Sequence, residues 1–329
     1  MSGPNHTFDI VALGNAIVDI LAFVDEQFLK TYQILKGTRR VLSEPEINNL
    51  YHLIPPAREL SGGSGANTIA GLGSLGIKCA FLGSVHDDVF GHIFNHDLSS
   101  TGTHVPCLPK KYGASTARSI ILITPDADRS MNTYLGASVA LTPEDIIEEV
   151  IVNGKIFFSE AYLWSPQPAQ DALIKATKIA KEAGRKTALT LSDPGCIQQH
   201  RAELLPFLRA NIDIIVGNQL ELAYLYDTTV HEAVALAQQD FEIVALTKSA
   251  DGSILVTKDK IYEIDPHPVS KIVDTTGAGD IYASGFFYGL LNGRKFEDIG
   301  RLASTTASSI ITHMGSRPEQ PLDAVIKGI

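Results

Sequence analysis

The chain is poor in the features that mark several protein classes. It has three cysteines in 329 residues, Cys79, Cys107 and Cys196. None forms a CxxC pair, so neither a disulfide framework nor a zinc site is indicated. A reduced, cytoplasmic setting is expected. No apolar run reaches the roughly 18 residues of a membrane span. The stretch Met1 to Thr7 is polar and lacks a basic region followed by an apolar one, so it does not read as a signal peptide. The sequon at Asn5 is then idle. No cluster of lysine or arginine stands out and the net charge is −10, which argues against nucleic acid as a partner. The ten histidines show no metal-ligand spacing. Linkers, repeats and low-complexity segments are also missing, so residues 1–329 are expected to form a single domain.

What is present is a large apolar fraction, 44% of the residues, in a regular rhythm. Short apolar runs at 8–13, 79–82, 155–159, 187–191, 212–216, 243–246 and 253–257 read as buried strands. Helical stretches at 169–183, 201–210, 220–226 and 231–238 separate most of them. Thr142 before Pro143 reads as a helix start. The alternation predicts an α/β fold, a central and mostly parallel β-sheet flanked by helices on both faces. Strand-like segments near 16–24, 37–42 and 116–135 lie outside the alternation and are expected to form a small sheet over the main one. Gly71 to Gly76 spells GxGxxG but ends a helix and precedes a strand. A dinucleotide fingerprint needs the opposite order, so a nucleotide-dependent oxidoreductase is set aside.

The most informative stretch is Asp274-Thr275-Thr276-Gly277-Ala278-Gly279-Asp280, followed by an uncharged helical run to Asn292. Its glycines let backbone approach an anion, and a helix start of this kind binds phosphate. An acid placed there suggests phosphoryl transfer, although Asp280 as a plain helix cap fits the local pattern too. The helix N-terminus is expected to lower the Asp280 pKa. Earlier come Gly14-Asn15-Ala16-Ile17-Val18-Asp19 and Gly62-Gly63-Ser64-Gly65-Ala66-Asn67.

In this order and spacing the three stretches resemble the ribokinase-like (PfkB) family of carbohydrate and nucleoside kinases, over roughly residues 8–315. The sequence looks closest to adenosine kinase-like members. The resemblance implies a ribokinase-like fold with a lid from segments of about 15–43 and 112–135. It implies transfer of the ATP γ-phosphate to a primary hydroxyl of a nucleoside or sugar, adenosine (to AMP) favoured. A ribokinase- or fructokinase-type sugar kinase, or a catalytically silent regulator, remains the alternative. Carried over, Asp280 is the catalytic base, Gly277, Ala278 and Gly279 form the anion hole, and Arg129 is a lid arginine reaching the phosphates, with Arg118 a weaker candidate. Asn15, Asp19, Gly62, Gly63 and Asn67 bind the acceptor. ATP is assigned to Asn218, Thr247, Lys248, Ser249, Gly252, Ala307 and Gly315; Ser249 departs from the family's glycine at that loop position. Glu221 completes an N-x-x-E motif that organises Mg2+ through water, and Asn218 with Glu221 is equally a capping box. Asp274 and Thr276 stand where many members bind a monovalent cation, so K+ activation is expected. Tyr162 and Trp164 are read either as stacking partners for a base or as core aromatics. The partner is a small-molecule nucleoside or sugar; no nucleic acid or membrane is expected, and the protein is read as a monomer or homodimer.

Overall fold

A computed structural model describes residues 7–126 and 128–327. Segment 1–6, with the sequon's Asn5, and Ala127 of the turn expected after Pro125 lie outside the described residues. Two sheets organise the chain. The larger runs β13-β12-β11-β10-β9-β8-β1-β5, with β1 (Phe8–Leu13), β5 (Cys79–Leu82), β8 (Gly154–Glu160), β9 (Lys186–Thr190), β10 (Ile214–Asn218) and β11 (Ile243–Thr247) parallel, and β12 (Ser253–Thr257) and β13 (Ile261–Ile264) antiparallel at one edge. Both faces of this sheet are buried. In β1, Ile10 and Ala12 enter one core while Val11 and Leu13 enter the other. A strand buried on both sides carries apolar residues at every position, which is why these strands read as continuous runs.

The smaller sheet runs β3-β7-β6-β2-β4, with β2 (Ile17–Phe23), β3 (Arg39–Val41), β4 (Arg58–Gly62), β6 (Ala117–Ile123) and β7 (Arg129–Tyr134). Strand β4 was not expected from the sequence, since it opens with the charged pair Arg58-Glu59. It pairs antiparallel with β2, Ile17 opposite Gly62. The helices are α1 (Glu26–Thr31), α2 (Glu44–Leu53), α3 (Ser64–Ser74), α4 (Val89–Ser100), α5 (Glu148–Val152), α6 (Gln167–Glu182), α7 (Pro194–Asn211), α8 (Gln219–Tyr226), α9 (Val230–Asp240), α10 (Ala278–Leu291), α11 (Phe296–Ile310) and α12 (Leu322–Val325). None of the described helices is long and apolar enough to cross a membrane.

Two helix expectations need correction. Pro143 opens only a short 3-10 turn, Pro143–Asp145, although Thr142 and Asp145 do make a capping box. Helix α7 starts at Pro194 rather than near 201. Asp193 caps it by accepting from the Gly195 and Cys196 N–H groups, and proline suits a first helical position. The Ser-Asp-Pro-Gly sequence resembles a turn, and that hid the start. The rejected GxGxxG does end α3 and precede β5, as read.

Candidate active site

The carboxyl ends of the parallel strands deliver the polar residues. Asn15 follows β1, Glu160 ends β8, Asp193 follows β9, Asn218 ends β10 and Thr247 ends β11. That edge is where open α/β sheets bind ligands. Over it the smaller sheet forms a roof, and the two enclose a cavity of about 740 Å3. Its lining includes Asn15, Asp19, Gly63, Asn67, Arg129, Asn218, Glu221, Thr247 and the run Thr276 to Asp280. Residues 15 to 280 in the sequence thus meet in one space.

Asp280 lies in the first turn of α10, behind Gly277, whose φ is +76°. A Cβ at Gly277 would also meet Ser316 Cβ at 2.6 Å, so the turn demands glycine. Asp280 is gripped from the neighbouring helix. Ser64 donates its hydroxyl to Oδ1 at 2.7 Å and Asn67 donates Nδ2 to Oδ2 at 2.8 Å. Its pKa is raised, not lowered as the helix position alone suggests. Burial is the largest cause, and it outweighs both hydrogen bonds and the attraction of Arg317 and Arg39. The helix-end effect fades within a turn and amounts to a few tenths to about 1 kcal/mol, whereas desolvation is larger.

Asp19 sits on β2 but is 6% exposed, so it is not a solvent-facing lid charge. Burial pushes its carboxyl up to about 7, partly offset by Arg317. Gly63 caps α3 with φ +94°, and any Cβ there would strike the Asn15 carbonyl at 2.2 Å. Gly62 belongs to the β4 ladder and does not line the cavity. Asn218 caps α8: its Oδ1 accepts from the Leu220 and Glu221 N–H groups while Glu221 Oε2 accepts from Asn218 N–H. The capping box therefore exists, and Glu221 also lines the cavity. Burial raises its carboxyl to about 7. Asp274 is fully buried, accepting from Thr276 N–H and hydroxyl on Oδ1 and from Gly315 N–H on Oδ2. It thereby ties the glycine loop to the turn after α11. Arg129 reaches the same loop, donating to Thr276 Oγ1 at 3.2 Å.

Other expected residues stand elsewhere. Lys248 bonds Glu263, Ser249 takes φ +56° in place of glycine, and neither they nor Gly252, Ala307 and Gly315 line this cavity. Arg118 is buried against Phe90 and Tyr134 and bonds Asn48, away from the cavity. Trp164 packs on Phe207 in the core, so its stacking role falls. Tyr162 does line the cavity.

Several cavity residues were missed. Glu160 accepts Asn15 N–H and Nδ2 on Oε1, and Gly65 N–H on Oε2, joining the stretches 14–19 and 62–67. Burial lifts its carboxyl to about 7. Arg39, Arg40 and Asp193 also line the space. Arg317 donates to the Ser61 and Ala66 carbonyls behind Asp280, and burial depresses its pKa to about 10. An acid closing an apolar strand was the one available signal for Glu160.

A family model for pfkB carbohydrate kinases matches residues 52–322. A solved structure of a probable sugar kinase from Rhizobium etli CFN 42 is 40% identical, covers 98% of both chains and superposes with a TM-score of 0.93. Adenosine kinase from Sinorhizobium meliloti is 41% identical over 97% of this chain and 98% of its own, with a TM-score of 0.91. Among curated proteins, a 5-dehydro-2-deoxygluconokinase from Clostridium perfringens is 29% identical over 279 residues, 81% of this chain and 82% of that one.

Proposed function

The chain belongs to the pfkB family of carbohydrate kinases and is an ATP-dependent phosphotransferase acting on a sugar hydroxyl; from this we propose that it phosphorylates the primary hydroxyl of a nucleoside, adenosine first. One observation carries the choice of a nucleoside. The cavity has a polar grip at Asn15, Asp19 and Asn67 and an apolar wall of Ile17, Val41, Met131, Leu135 and Val139. A ribosyl diol suits the grip, since a carboxylate can accept from two hydroxyls. A flat base suits the wall, which a free sugar would meet with hydroxyls. The adenosine kinase of Sinorhizobium meliloti supports the same choice.

In this reading the acceptor hydroxyl bonds to the γ-phosphorus as the bond to the ADP oxygen breaks, and Asp280 takes the proton. The N–H groups of Gly277, Ala278 and Gly279 stabilise the charge on the transferring group, that of Ala278 by leaving its 3.3 Å bond to the Thr275 carbonyl, since positioning and electrostatics dominate phosphoryl transfer. Among the described residues no three metal-ligating side chains converge. A divalent ion with the ATP would then be oriented through water by Glu221, whose Oε2 is already engaged by Asn218. Glu221→Gln keeps the cap, because an amide oxygen still accepts that N–H. It is expected to raise the Mg2+ needed for half-maximal rate by about 10–100-fold; an unchanged requirement would reduce Glu221 to a cap.

A second reading, a keto sugar acid, is favoured by the arginines Arg39, Arg40 and Arg129 of the roof and by the gluconokinase relative. ADP release measured over nucleosides, sugars and sugar acids decides between the two. Adenosine is expected to give the highest kcat/KM, and a sugar acid in that position would replace the nucleoside reading. Running the panel in potassium and in sodium tests the proposed cation beside Asp274 and Thr276, and equal rates would remove it.

A further inference from the structure

We infer that Arg39 is a second roof arginine for the transferring phosphoryl group, held ready by Asp193 and Tyr162; the inference rests on the kinase reading above. Arg39 lies on β3, a strand of three residues that pairs only with β7 at the sheet edge. Few ladder bonds make such a strand the most easily displaced part of the roof. Its guanidinium reaches across the cavity to the main body. Nη1 donates to Asp193 Oδ2 at 3.1 Å and to the Tyr162 hydroxyl, and the group lies 5.8 Å from the Tyr162 ring centroid. Asp193 is itself fixed, because its other oxygen caps α7.

The surroundings assign the task. Arg39 acts electrostatically on Asp280, on Glu221 and on Arg129. Arg39 and those three groups line the same cavity, and in the kinase reading the three flank the path from the ATP phosphates to the acceptor hydroxyl. A guanidinium there meets whatever anion crosses that path, and its fork matches phosphate oxygens. Asp193 supplies the carboxylate that holds the guanidinium in the cavity, and a phosphate oxygen offers the same kind of acceptor. Its side chain is 30% exposed and that of Arg39 48%, so the exchange needs no buried charge to be uncovered. Arg129 cannot fill both places, since it is engaged at Thr276 on the glycine loop.

The experiment compares Arg39→Ala, Arg39→Lys and Asp193→Asn with the wild type in steady-state kinetics, using the best acceptor of the panel, with and without added guanidinium ion. Arg39→Ala is expected to lower kcat by about 10²-fold, to leave the acceptor KM within a few-fold, and to regain part of kcat with guanidinium. Arg39→Lys should fall between, and Asp193→Asn, which loosens the guanidinium without removing it, should lower kcat by less than Arg39→Ala. A loss confined to the acceptor KM would make Arg39 a reader of the acceptor and overturn the inference. Equal losses in Arg39→Ala and Asp193→Asn without guanidinium rescue would make the pair a mere fastening of the roof, and would overturn it too. An active wild type with unimpaired Arg39→Ala sinks this inference alone, whereas a wild type inert on every acceptor sinks the kinase reading with it.

Discussion

Asp280→Asn is expected to lose turnover by about 10³-fold, in the range of a missing general base, while still binding its acceptor. The geometry makes the variant a clean test. Oδ2 of Asp280 accepts from Asn67 and Oδ1 accepts from the Ser64 hydroxyl. An asparagine can keep its oxygen toward Asn67 and turn its amide toward Ser64, whose hydroxyl rotates to accept. Both contacts survive, so α3 and α10 stay joined and the acceptor grip is undisturbed. Near wild-type turnover would exclude Asp280 as the base. The wild-type pH profile carries the same signature. A general base acts as a carboxylate, and burial raises the pKa of Asp280, so if Asp280 has that role activity should fall on acidification at a higher pH than an ordinary aspartate would give.

Arg317→Met should be the most damaging substitution outside the motifs. Burial depresses the arginine's pKa, and the charges of Asp19, Asp97 and Asp280 hold it up. Removing one member of a buried charge cluster costs about 3–5 kcal/mol, because the acids are left uncompensated. Two readouts follow. Denaturant midpoints should drop at constant slope, and the acid limb of the rate profile should move to higher pH, since Arg317 lowers the pKa of both Asp19 and Asp280. Unchanged stability together with an unmoved limb would refute the role. The sign for stability can be stated for the wild type too. Asp19, Glu160 and Glu221 are each raised to about 7 from ordinary values of 3.8, 4.5 and 4.5. Their contribution favours the fold below those ordinary values and is lost as pH rises toward 7. In Arg317→Met the Asp19 share of that loss should extend to higher pH.

What the sequence made legible and what it hid divide along physical lines. The strands of the main sheet were readable because burial on both faces imposes apolar residues at every position, as in Ile10-Val11-Ala12-Leu13. The glycine loop was readable because a backbone conformation such as that of Gly277 restricts residue type locally. Strand β4 was not, since an edge strand of a small sheet tolerates Arg58 and Glu59. Glu160 meets Asn15 across 145 positions and Arg39 meets Asp193 across 154. Nothing local distinguishes Arg39 from a solvated arginine, and Glu160 is marked only by its place at the end of an apolar strand. The direction of the Asp280 shift was misread for the same reason. The helix start is visible in the sequence, whereas the burial that outweighs it is a property of the assembled cleft.

The double grip of Ser64 and Asn67 on Asp280 bears on how this enzyme can be redesigned. Asn67 is at once a wall of the cavity and a donor to Asp280, and Ser316 in turn donates to Asn67. In the proposed reading, acceptor choice and acid strength are therefore set by shared atoms. A substitution at Asn67 that admits a new acceptor also removes a hydrogen bond that lowers the Asp280 pKa, so selection for altered substrates at neutral pH should favour changes on the roof, at Val41 or Met131, where the cavity can be reshaped without retuning Asp280.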